Sequence, residues 1–245
     1  MADTTHSSED PHSLKSRSTF TTNYTKRKQL EARVGGWLMI VGGALFTAVL
    51  TTLGALSQKL PERTTVLDWA QQNYAGLFFV DEGLAFAVAT YSVAMILLYQ
   101  QLRHRSPVTS LIAVVTYCIA AVGFINAILA LGRLLYPVNS LSTSEEGALL
   151  SAGQLFADVH FAAIALGVAI LMFGIALGRW LLITPSAAVG VLQIAGTYFG
   201  GTAPMWLLAT SMLAWFVWSV VVGLLMIRGR ANGGGLPTAA DSHSD

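Results

Sequence analysis

Residues 205–227 read MWLLATSMLAWFVWSVVVGLLMI, and no side chain in that run is charged. At about 1.5 Å of rise per residue, such a helix reaches roughly 35 Å, enough to cross the ~30 Å hydrocarbon core of a bilayer. Arg228 and Arg230 follow at once. An uncharged apolar segment of this length, stopped by arginines, reads as a transmembrane helix.

Working back from it, five more apolar segments lie at about residues 34–56, 83–102, 110–136, 156–177 and 186–199. The last is short. Pro185 suits the first turn of a helix there, and Gly200, Gly201 and Pro204 make a tight connection onward. We read it as a short full span rather than a re-entrant half-helix, because the charges require it. Lys26, Arg27, Lys28 and Arg33 flank the first segment, Arg103 and Arg105 follow the second, Arg179 follows the fourth, and Arg228 and Arg230 close the sixth. With six spans, all four clusters fall on one side, which the positive-inside rule makes the cytoplasmic one. The other side mixes Lys59, Arg63 and Arg133 with Glu62, Asp68, Asp81, Glu82, Glu145, Glu146 and Asp158. The expected fold is therefore all-α: a polytopic membrane bundle of about six transmembrane helices with both termini cytoplasmic.

Composition agrees. Of 245 residues, 54% are hydrophobic and 11% charged, where soluble domains carry about 25% charged residues. Lipid is the solvent for that excess of apolar surface, so the bilayer is the first partner. A net charge of +1 provides no field that would gather nucleic acid. Closely spaced spans make residues 34–228 one domain. Residues 1–33 are polar and basic, lack the short apolar core of a signal peptide, and read as a disordered tail; residues 229–245, with Gly233, Gly234, Gly235 and Pro237, read likewise. The loop at residues 57–82 holds Trp69, Tyr74, Phe78 and Phe79 and is expected to include an interfacial helix lying on the membrane.

Small residues mark packing faces. His160, Ala163, Gly167, Gly174 and Gly178 recur at helical spacing in the fourth segment, Gly35, Gly36, Gly42 and Gly43 in the first, and Gly123, Asn126, Ala130 and Arg133 share a face of the third. Such stripes let backbones approach in lipid. The single cysteine, Cys118, excludes an intramolecular disulfide and a cysteine-based metal site within one chain; its apolar surroundings read as those of a small buried hydrophobe.

Ionisable groups near hydrocarbon are costly and mark candidate sites. Asp81 and Glu82 enter the second segment, Arg133 leaves the third, and Asp158 and His160 enter the fourth. Under the topology above they share one depth at the outer leaflet, with Asn126 about two turns below Arg133. These six residues form the candidate ligand site, in which Arg133 is expected to pair with Asp81, Glu82 or Asp158; the alternative is an interfacial ion-pair clasp. Asp158 and His160, two positions apart, point about 200° from each other on a helix and make no catalytic dyad. With one histidine in the spans, neither a bis-histidine haem nor a histidine-rich zinc site is available. No catalytic residue, metal or cofactor is assigned.

Four stretches carry a resemblance. They are TKRKQLEARVGGWLMIVGGALF at residues 25–46, LFFVDEGLAFAVATYSVAMILLYQQLR at 77–103, the segment holding Asn126, and HFAAIALGVAILMFGIALGRWLLITPSAAVGVLQIAGTYFG at 160–200. Over about residues 26–227 the chain resembles the bacterial membrane-protein family known as domain of unknown function 4386. It departs from that pattern early in the third segment, where Thr116, Tyr117 and Cys118 stand in place of an arginine. The resemblance implies a bacterial inner-membrane location and no established activity. The residues themselves point to a multi-pass membrane protein and to no particular reaction; the first hypothesis for its role is binding a lipid or small hydrophobic ligand or serving as a partner subunit. A small transporter working as an oligomer, and an intramembrane enzyme using Asp158, His160 and Arg133 at the outer leaflet, are the alternatives.

The charge bias makes a direct prediction. Reporter fusions after Arg105, Arg179 and Arg230 should report the cytoplasm, and fusions near Lys59 and Glu145 the outside. An external carboxy terminus would remove the fifth segment from the set of full spans.

Overall fold

The computed structural model describes residues 11–58, 65–136, 144–178, 180–197 and 204–229, with side chains from Lys26 onward except that of Trp180. The described residues are helical throughout: α1 (Pro11–Ser57), α2 (Val66–Gln72), α3 (Tyr74–Leu102), α4 (Pro107–Leu135), α5 (Glu145–Ala176), α6 (Trp180–Gly196) and α7 (Met205–Ile227). Five are long and apolar enough to cross a membrane, and α6 is a shorter apolar helix.

The long helices α1 and α3 to α7 pack in chain order, and α7 returns to α1. The contacts fix each pairing as antiparallel. Along α1 and α3, Gly35 meets Leu97, Gly42 meets Tyr91 and Gly83 meets Val49. Along α1 and α7, Gly36 meets Gly223 and Gly43 meets Ser219. The two glycine doublets thus have divided labour. Gly42 faces α3, Gly36 and Gly43 face α7, and Gly35 meets Met226 of α7 as well as Leu97 of α3, so α1 lies tightly between both. A Cβ on Gly223 would stand 2.6 Å from the Gly36 carbonyl oxygen, closer than any side chain tolerates.

The same device joins α5 to α6. A Cβ on Gly167 would lie 2.7 Å from the Gly190 carbonyl oxygen, and one on Gly190 equally 2.7 Å from that of Gly167. Gly174 packs on Ser186, and His160 Nδ1 lies 3.1 Å from Thr197 Oγ1. The stripe read from sequence therefore does face a neighbour, with one correction. Gly178 lies beyond the end of α5 with φ 64°, ending the helix in the left-handed conformation that glycine adopts without a Cβ penalty, beside Arg105.

Aromatic rings fill the ring of helices at its centre. Phe46 of α1 lies 5.5 Å from Tyr91, 5.0 Å from Phe124 and 4.8 Å from Trp215, centroid to centroid. Trp215 Nε1 donates to the Tyr91 hydroxyl at 2.9 Å, and that hydroxyl lies 2.9 Å from Ser219 Oγ. Lipid tails are as apolar as leucine, so burial alone does not hold such helices together; close packing and interhelical hydrogen bonds do. Outside, the helices present apolar side chains such as Leu111, Val115, Val122, Ile125 and Leu129 of α4. Cys118 falls on this outward face and is exposed, contrary to its reading as a buried hydrophobe; its register along α4, not its polarity, decides.

Several boundaries differ from expectation. α3 begins at Tyr74 and α5 at Glu145, well before residues 83 and 156, because helical packing continues past the apolar stretch: Leu77, Val80 and Leu155 are fully buried. α6 begins at Trp180, which puts Pro185 past the first turn. Residues 11–33, read as a disordered tail, continue α1 as helix. Extending a formed helix avoids the cost of nucleation, and Arg27 Nε pairs with Glu31 at 3.0 Å one turn on. Residues 1–10 and the tail from 230 lie outside the described residues.

Gly167→Leu should lower the thermal midpoint in detergent by several degrees, as overpacking costs of about 1–3 kcal/mol imply. Gly153→Ala, whose Cβ would meet nothing within 4 Å, should not. Equal midpoints for the two variants would contradict the α5–α6 interface.

Candidate functional site

At the end of the bundle where α3 and α5 begin and α4 finishes, the helices leave a cavity of about 700 Å³. Its walls are mainly apolar: Ile128, Leu129 and Leu134 of α4 and Ala148 of α5, with Leu67 of α2. The polar groups on them are Asp81, Arg133, Tyr136 and Ser151. Leu129 is 58% exposed, so the cavity borders the apolar outward surface of α4.

The helix α2 explains why a cavity persists there. Thr65 caps it, accepting from the Asp68 amide at 3.1 Å. The carboxylate of Glu145, the first residue of α5, then accepts from the Val66 and Leu67 amides at 2.6 and 3.3 Å. Those are orphan donors at the positive end of a helix, where a carboxylate is favoured. Trp69 is buried to 1% exposure and donates to the Leu56 carbonyl at 3.1 Å. The loop does hold a helix with Trp69 on it, as expected, but Trp69 docks into protein instead of lying on the membrane.

The six residues proposed from sequence do not converge on one point. Asp81 and Arg133 line the cavity. Asp81 is 7% exposed, and its Oδ1 is buried with no hydrogen-bond partner among the described residues. Arg133 does not make the expected ion pair. Its Nη1 donates to Gln154 Oε1 at 3.2 Å, and among the described residues no carboxylate lies at salt-bridge distance from it. The reason is register: Arg133 sits on an exposed face of α4 while Asp81 is packed below. Glu82 is exposed, and Asn126 is half-buried outside the cavity. Asp158 stands opposite Gly123, with Oδ2 buried and unpartnered among the described residues. His160 turns instead to α6, bonding Thr197. The divergence of Asp158 and His160 read from their spacing is thus observed.

Tyr136, just past the end of α4, was not singled out in the sequence. Its phenol is pushed above the ordinary range, first by desolvation and then by the negative charges of Asp81 and Glu82. Glu145 was read only as one acid of the outer loop, and Gln154 lies in the same stretch read as polar loop. A second polar group lies between α5, α6 and α7. Thr197 Oγ1 donates to the Gln193 carbonyl at 2.9 Å, and Gln193 Nε2 to the Ser211 carbonyl at 2.9 Å. These residues are buried and tie three helices together. Among the described residues, no group of three or more His, Cys, Asp or Glu could hold a metal ion.

No protein-family model, no curated protein and no solved structure matches the chain.

Two substitutions separate clasp from pocket. An orphaned buried oxygen costs about 1–3 kcal/mol, so Asp81→Asn should leave the thermal midpoint unchanged or raise it. Glu145→Ala, which strips the α2 amides, should lower it by a few degrees. A large loss with Asp81→Asn would make Asp81 a structural clasp.

Proposed function

We propose that this chain is a six-span membrane protein, with both termini cytoplasmic, that binds a lipid or similar amphiphile in the cavity at its outer leaflet. The observation that carries the reading is the cavity's chemistry. Apolar walls border the lipid-facing surface at Leu129, and Asp81 and Arg133 stand on the same walls without pairing to each other. An ion-pair clasp would bring the two charges together; space left between them suits a headgroup. A guanidinium suits a phosphate or carboxylate, and a carboxylate with an unused oxygen suits an ammonium or hydroxyl donor. The apolar remainder suits an acyl chain.

The six-span topology rests on the antiparallel pairing of α6 with α5 from Gly174 to His160, combined with the basic bias at four connections. At about 1.5 Å per residue the 17-residue α6 covers roughly 25 Å, which slight local thinning accommodates. The bundle axis favours binding over transport, since Phe46, Phe124, Tyr91 and Trp215 fill it. Divergence of Asp158 from His160 leaves the enzyme reading without an acid–base pair. Kinship with family 4386 rests on the four quoted stretches and adds a bacterial inner membrane as the expected location.

Native mass spectrometry of the protein released from lipid nanodiscs tests the reading. The wild type should retain co-purifying lipid, and Arg133→Ala and Asp81→Asn should each reduce the retained fraction about tenfold, as the loss of one charged hydrogen bond implies. Retention identical to wild type in both variants would refute the site.

A further inference from the structure

At the opposite end of the bundle, α1, α3 and the turn between α3 and α4 enclose a second cavity of about 700 Å³. Its chemistry is the reverse of the first. Arg27 and Lys28 come from α1, and Arg103 and Arg105 from the turn. All four are basic side chains. The one carboxylate among them, Glu31, is engaged by Arg27 at 3.0 Å. Among the described residues, the side chains of Arg103 and Arg105 have no hydrogen-bond or ion-pair partner. Two guanidiniums two positions apart on one turn line a cavity with cationic walls, and no carboxylate among the described residues lies at ion-pair distance from either.

We propose that this cavity binds a phosphate-bearing anion, and that the anion is the headgroup of an acidic phospholipid. The guanidinium fork matches phosphate oxygens geometrically, and basic pockets between helices at this face of a membrane protein suit acidic headgroups. Two features favour a lipid over free phosphate. Gln101 Oε1, on the cavity wall, is buried with no donor among the described residues; a hydroxyl on the headgroup would satisfy it. Toward mid-membrane, Val93 and Ile96 are exposed on the face of α3 that also carries Gln100. They continue the cavity as an apolar track that an acyl chain can follow. A glycerophosphate headgroup with free hydroxyls meets every one of these features. This site is independent of the outer cavity and does not rest on its occupancy.

The test uses the purified full chain in a neutral detergent and titrates short-chain phosphatidylglycerol, short-chain phosphatidylcholine and inorganic phosphate. Phosphatidylglycerol should bind, phosphatidylcholine at least about tenfold more weakly. The double variant Arg103→Gln, Arg105→Gln should lose roughly 30-fold in affinity for phosphatidylglycerol, at about 1 kcal/mol per basic residue. Arg228→Gln, a basic residue at the end of α7 outside the cavity, should lose nothing. Should the double variant fail to fold, the lysine pair Arg103→Lys, Arg105→Lys keeps the charge and should lose only the part due to fork geometry. Inorganic phosphate displacing the lipid at equal affinity would overturn the lipid assignment in favour of a soluble phosphate. Equal binding of the two lipids, or phosphatidylglycerol binding indifferent to Arg103 and Arg105, would overturn the site altogether.

Discussion

Backbone contact between glycines is the constraint on which this structure depends. Gly36 against Gly223 joins the first and last long helices, and Gly167 against Gly190 joins α5 to α6. In lipid, apolar surface has no preference for protein over acyl chains, so helices adhere through close approach and hydrogen bonds. Side chains at these four positions would hold the backbones apart. The ring would then open at two seams, and the aromatic group around Phe46 would lose its walls. Small residues at the seams and bulky rings at the axis are complementary: the first let the helices come close, and the second fill the space that remains.

The cavity beside α2 follows from the same geometry. The glycine-to-glycine contacts lie along the middle and basic portions of the helices, while at the α2 end the chain adds a different device. There Glu145 holds the amino terminus of α2, and Trp69 anchors it on the end of α1. A short helix pinned at its start by a carboxylate from another helix makes a wall without demanding that α3, α4 and α5 close upon one another. The unpaired Asp81 oxygen is consistent with that arrangement. A group whose burial is costly is kept where the cavity needs it, and not where packing would place it.

The sequence disclosed the frame well and the site unevenly. Residues 205–227 became α7 with both ends as expected, because the uncharged run and its flanking arginines leave one solution. The doublets Gly35–Gly36 and Gly42–Gly43 announced close packing, but not that each doublet serves two neighbours. The start of α3 was missed because Asp81 and Glu82 interrupt its apolar run, and that of α5 because Glu145 to Gln154 read as a polar loop, while helical packing continues through both. Asp81 and Arg133 were found through the cost of charge near hydrocarbon. Their failure to pair was hidden, since it turns on the rotation of α4 about its axis, which a depth argument does not fix. Glu145 looked like one more acid in a loop; its role depends on accepting from the Leu67 amide of a helix 78 residues away in sequence. The basic cavity was legible as charge, as Arg27, Lys28, Arg103 and Arg105 all served to orient the chain, yet nothing in their spacing said that they share one enclosure.

The central proposal is that the cavity beside α2 holds an amphiphile and is no clasp of its own charges. An experimental structure of the protein in lipid nanodiscs tests it most directly. The account predicts elongated density running from the exposed edge of Leu129 to a headgroup between Asp81 and Arg133, with Arg133 still apart from the carboxylate. Arg133 folded inward onto Asp81 or Asp158, with the cavity closed and no density within it, would contradict the account.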